Sequence, residues 1–165
     1  MISRLWYPQL DVFDTARRMC ILLYNFDTPP GYERLCIADF FFANPPLLHK
    51  ATMTVDMRKS FYALGIKRPN KSFISYPDAP LLFHKMKPIQ KEAMDALSGK
   101  GIVSIEQTKR GYFELTKYGK EKFKIDKICR ENEWDLSIFL AHQFARNDEG
   151  DNRELRNRSG LRRIV

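Results

Sequence analysis

The stretch from Pro88 to Phe123 constrains the chain more than any other. Pro88 suits the first turn of a helix, where its missing N–H is no loss. Ile89, Ala93, Met94 and Leu97 then recur at helical spacing and form one apolar stripe. Gly99 and Gly101 can take the left-handed backbone that ends a helix. Beyond them Val103 and Ile105 alternate with Ser104 and Glu106, the two-residue period of a strand. Gln107 to Gly111 is a polar turn, and Phe113 and Leu115 alternate with Tyr112 and Glu114 as a returning strand. Thr116 has the side chain of a helix N-cap. Helix, hairpin and helix, with Lys109 and Arg110 at the hairpin tip, is the order of elements in a winged helix. Such a unit serves either DNA binding or protein docking. The expected fold is mainly α with one or two small β-hairpins, in a winged-helix architecture.

The rest of the chain sets bounds on that reading. A length of 165 residues suits one domain or two small ones. Lys and Arg number 28 against 20 Asp and Glu, for a net charge of +8, which is compatible with an acidic partner such as nucleic acid. Cys20, Cys36 and Cys129 lack any short Cys-x-x-Cys spacing and sit in apolar surroundings, as buried free thiols do. Their odd number, and an N-terminus too poor in apolar residues for a secretion signal, lead us to expect a cytoplasmic protein. No apolar run reaches the roughly 20 residues a membrane helix needs, so no membrane partner is expected.

Four segments follow from the pattern. Residues 1–76 form an N-terminal helical region, 77–123 the winged-helix unit, 124–146 a C-terminal helical region and 147–165 a polar, mobile tail. In the first, a helix opens at Asp11 or Asp14 and runs to about Phe26, with Val12, Ala16, Met19 and Leu23 inward and Arg17 and Arg18 at its solvated edge. Tyr32 to Ala43 is apolar around most of its circumference and stops at Asn44-Pro45-Pro46. A short helix from Asp56 to Leu64 closes at Gly65, and Ser72 to Tyr76 is extended. Asp78 caps a short helix to Lys85. After Phe123, apolar residues resume helical spacing, broken at Asn132.

No constellation for catalysis stands out. The chain has no phosphate-binding glycine loop, and His49, His84 and His142 are far apart and match no zinc spacing with the cysteines. We expect no enzymatic activity, no metal and no cofactor. Asp39 lies among apolar neighbours and, if buried, needs a partner, with Arg34 or Arg17 as candidates. The candidate DNA contacts are Lys87, Gln90, Lys91, Lys109 and Arg110. Lysines and arginines at such positions lie on phosphates, and Gln90 is the one side chain suited to a base edge. Glu92 and Asp95 on the same helix repel phosphates, so base readout is weak. The candidate partner interface is Trp6, Tyr7, Phe40, Phe41 and Phe42. Consecutive helix residues are about 100° apart, so the three phenylalanines cannot share one face, and aromatic residues are enriched in interfaces.

The segment Tyr32 to Leu48, with its Leu-x-x-x-Asp-Phe and Asn-Pro-x-Leu-Leu runs, resembles the middle components of bacterial ABC three-component systems, including the small subunit of Lamassu-type defence. Asp11 to Arg18 and the Lys87–Phe123 unit match as well, and the resemblance covers Tyr7 to Phe144. It implies a non-catalytic winged-helix adaptor between an SMC-like ATPase and an effector, often a nuclease, in anti-phage or anti-plasmid defence. DNA would be touched non-specifically, within the assembly. The alternative on the residues is a free-standing winged-helix transcriptional regulator.

Overall fold

A computed structural model of the chain describes residues 7–69, 78–148 and 150–162. Trp6 and the expected extended segment Ser72 to Tyr76 lie outside them. The fold is mainly helical. The first long helix, α1, spans Val12–Asn25, and the Asp11 carboxylate caps it by accepting from the Asp14 N–H at 2.9 Å. Helix α2 spans Tyr32–Ala43 and ends, as expected, at Asn44 before two prolines; a 3-10 turn follows at Pro45–Lys50. Helix α3 is Val55–Ala63, capped by Thr54. Helix α4, Ala79–Gly99, is the longest, and α1 packs on both α2 and α4.

Helix α2 is the centre of the fold. Every residue from Arg34 to Phe42 is buried. An aromatic chain runs out from it. Phe40 meets Phe41 at 5.1 Å between ring centroids and Phe83 at 5.6 Å, and Phe41 meets Phe144 at 5.2 Å, the first three contacts edge-on as ring quadrupoles favour. Phe139 and Phe61 extend the chain. Phe40, Phe41 and Phe42 are therefore core residues of the monomer and not the exposed interface their succession suggested. The argument about one helix face was correct, but α2 is wrapped on several sides and each ring finds its own neighbours.

The Pro88–Phe123 stretch departs from the expected order in two ways. Helix α4 does not begin at Pro88; it begins at Ala79 and runs through the proline. Pro88 lacks the N–H that would bond the His84 carbonyl one turn back. Ile105 does not extend a strand, because Ile105–Lys109 is a short helix, α5, capped by Ser104, whose Oγ accepts from the Gln107 N–H at 3.3 Å. The expected hairpin shrinks to one antiparallel bridge between Val103 and Leu115, and a second bridge joins Gly31 to Tyr112. Gly101 takes the left-handed backbone at φ 71°. Thr116 does cap the next helix, α6 (Lys117–Lys122), accepting from the Gly119 N–H at 2.9 Å. A Cβ on Gly119 would meet the Ile102 carbonyl oxygen at 2.4 Å, so the bridge region and α6 approach as closely as glycine allows.

The chain closes with α7 (Ile125–Ile128), α8 (Trp134–Phe139) continued by a π turn at Leu140–Phe144, and α9 (Asn152–Ser159). The break near Asn132 is present between α7 and α8. The polar tail is not loose along its described length. Leu155 and Leu161 are buried in the common core, the Thr52 N–H donates to the Arg158 carbonyl at 2.8 Å, and Arg156 pairs with Glu33 on α2. One apolar cluster takes residues from Met19 to Leu161, so the segments share a core. Because Phe41 lies inside that cluster, Phe41→Ala should cost about 3–5 kcal/mol of folding stability. Urea unfolding of the purified chain checks this; an unchanged midpoint would contradict the core assignment.

Candidate interaction surfaces

The segment leading into α1 is fixed by buried polar groups and presents apolar side chains outward. Pro8 opens a 3-10 turn over Pro8–Leu10. Its carbonyl accepts from Arg18 Nη1 at 3.0 Å, and Gln9 Nε2 donates to Asn44 Oδ1 at 3.1 Å. Above these anchors Tyr7 is 56 % exposed, Leu10 40 % and Phe13 83 %. Phe13 faces water because α1 turns its other sides to α2 and α4. Three large exposed apolar side chains between Tyr7 and Phe13 are a feature of interaction sites more than of an ordinary surface. Tyr7, one of the expected interface residues, is exposed. Leu10 and Phe13 were missed; their signal was an apolar residue at the solvent-facing position beside the Asp11 cap.

Further along the same face of α1, Arg17 binds Glu133 through two hydrogen bonds of 2.7 and 2.9 Å, donates to Asp14 at 3.0 Å and reaches the Ile128 carbonyl at 3.0 Å. Burial on its own would raise the Glu133 pKa, but Arg17 and the Arg130 N–H outweigh it and hold this carboxyl below its ordinary value. This half-buried pair ties α1 to the start of α8. About two turns further along α1, the rings of Tyr24 and Trp134 lie 6.1 Å apart. They stand at a cavity of about 670 Å³ that Lys120, Lys124 and Arg130 also line.

The expected DNA contacts divide. Lys109 and Arg110 are exposed, but they sit at the end of α5 and not on a hairpin tip. Lys87 and Lys91 are exposed on α4, and Lys91 pairs with Asp95 at 2.6 Å. Gln90 is not a base reader. It is wholly buried, and its amide donates to the Cys36 carbonyl at 3.0 Å and to Asp39 Oδ2 at 2.9 Å. A richer basic surface went unnoticed. Lys117, Lys120, Lys122, Lys124, Lys127 and Arg130 are all exposed, with only Glu121 and Asp126 between them and Tyr118 half-exposed beside Lys122. The charge count of 117–130 was the signal.

A family model described as ABC-three component (ABC-3C) system Middle Component 5 matches residues 4–164, nearly the whole chain. The chain belongs to that family. No curated protein and no solved structure matches it. A middle component works in a system of several components, so it has partner proteins. No described helix is long and apolar enough to cross a membrane.

The middle component's thiols have little reactive character. Burial pushes the Cys20 thiol up to about 12 and raises that of Cys36 further, while the half-buried Cys129 is raised by burial and by Glu133. Among the described residues no three His, Cys, Asp or Glu side chains gather to hold a metal. Because the thiolate is the reacting form, a disulfide reagent at pH 8 should modify Cys129 alone in the native protein, and Cys20 and Cys36 only after denaturation. Prompt release of all three equivalents would contradict the burial described here.

Proposed function

We propose that this middle component is a non-catalytic cytoplasmic adaptor that joins an SMC-like ATPase to an effector, of which a nuclease is the leading kind, in a Lamassu-type defence complex. The observation that carries the reading is Phe13, 83 % exposed beside Tyr7 and Leu10 on a helix start anchored from beneath. Burying such a ring against a partner is favourable, and a well-packed interface aromatic contributes about 2 kcal/mol or more of binding. The succession α4, Val103, α5, Leu115 and α6 supports a winged unit whose strands are reduced to a single bridge. Lys109, Arg110 and the basic surface of 117–130 support non-specific phosphate contact within the assembly, through counterion release that weakens with salt.

The test is Phe13→Asp, co-expressed with the ATPase and effector of its own system. The chain alone should keep its melting temperature, since a substitution at so exposed a position shifts stability by no more than about 0.5 kcal/mol. Its co-purification with the partners should fall at least tenfold, as about 2 kcal/mol of lost binding requires. Undiminished co-purification would remove this surface from the interface. An isolated chain that selects one DNA sequence from a random pool would overturn the adaptor in favour of a free-standing regulator.

A further inference from the structure

A second surface has the shape of a receptor. Between α2 and the first half of α4 lies a groove of about 650 Å³. Its apolar lining is one stripe from each helix, Tyr32 and Cys36 from α2, Phe83 and Pro88 from α4. Cys36 and Phe83 are its buried floor, 3 % and 5 % exposed, with Tyr32 and Pro88 exposed above them, and such a trough fits the apolar face of a third helix.

The charges at the rim decide what kind of helix fits. Lys87 stands over the Phe83 ring, its Nζ 5.4 Å from the centroid, and no carboxylate among the described residues pairs with it. Lys91 follows one turn later, shared with the exposed Asp95. The acidic lining residue, Glu33, is neutralised by Arg156 of α9. The unpaired charge at the α4 rim is therefore that of Lys87, while Lys91 and, on the α2 rim, Glu33 are each paired within the chain.

We infer that the α2–α4 groove seats an acidic amphipathic helix of a partner protein, its apolar face on Tyr32 and Pro88 over the floor of Cys36 and Phe83 and its carboxylates toward Lys87. The partner class rests on the adaptor reading; the groove and its charge do not. The experiment uses the full chain, immobilised, and a phage-displayed library of random peptides of helix-forming length. Selected sequences should carry Leu, Ile or Phe at i, i+3 or i+4 and i+7, flanked by Asp and Glu. The best synthetic peptide should bind Lys87→Glu roughly tenfold more weakly by fluorescence anisotropy, since a like charge now faces it. Pro88→Glu puts a carboxylate in place of an exposed apolar lining residue, so it should weaken the peptide without unfolding the chain. Selection of basic sequences, of none, or of peptides indifferent to both variants would overturn the inference. So would sedimentation showing a dimer in which the groove is filled by a second copy. Because selection is read on the isolated chain, failure here leaves the Phe13 co-purification result standing, and failure there leaves peptide binding standing.

Discussion

The guanidinium of Arg18 is the interaction on which the arrangement depends. It is 2 % exposed, and all five of its N–H groups are engaged. Nε donates to Asp39 at 2.7 Å and Nη1 to Asp14 at 2.6 Å, with the Pro8 carbonyl, Thr15 Oγ1 and the second Asp39 oxygen taking the rest. Burial alone would lower the Arg18 pKa, and the two carboxylates outweigh it. Asp39 in turn accepts from Gln90 of α4. One buried cation thus fixes the lead-in segment, α1, α2 and α4 in a single register. A buried pair adds little over a well-packed apolar substitute, but removing one partner strands the other at a cost of about 3–5 kcal/mol. Its value here is specificity of arrangement.

That arrangement determines which surfaces remain free. With α1, α4, α9 and the π turn packed on it, α2 is occupied and its three phenylalanines have no outward role. Among the described residues the outer face of α1 stays exposed, held at its start by Arg18 and Asn44 and at its middle by Arg17 and Glu133, and so does the rim of the trough beside Pro88. Both surfaces are apolar with charge beside them. The basic residues of α6 and α7 lie beside that face of α1, since Arg17 reaches the Ile128 carbonyl and Arg130 lies 3.9 Å from Asp14.

Much of this was legible in the residues. Helices α1 to α3 followed from apolar periodicity, the caps at Asp11 and Thr116 from side-chain chemistry, and the stop at Asn44 from two prolines. The errors have physical causes. Pro88 was read as a helix start because propensity disfavours it inside one, yet packing of α4 on α1 overrode that local preference. Val103 and Ile105 alternate like a strand, but Ser104 with Gln107 three residues on is also a capping pattern, and the cap won. Arg18 looked like a solvated edge because Asp14, at i,i+4, reads as an ordinary surface ion pair and Asp39, which completes the cage, is 21 residues away. The same geometry took Gln90 into the core. The tail's low apolar content hid the fact that two leucines, Leu155 and Leu161, suffice to dock a short helix when the Arg156–Glu33 pair lies beside them.

The central claim is that the middle component meets its partners through the exposed start of α1, and side-chain footprinting tests it most directly. Hydroxyl radicals would be applied to the free chain and to the intact complex with ATPase and effector, and oxidation read residue by residue by mass spectrometry. The account expects Phe13 and Tyr7 to react readily in the free chain and to be protected in the complex, while Phe41 stays unreactive in both. Phe13 and Tyr7 oxidised equally in the free chain and in an intact complex would contradict it.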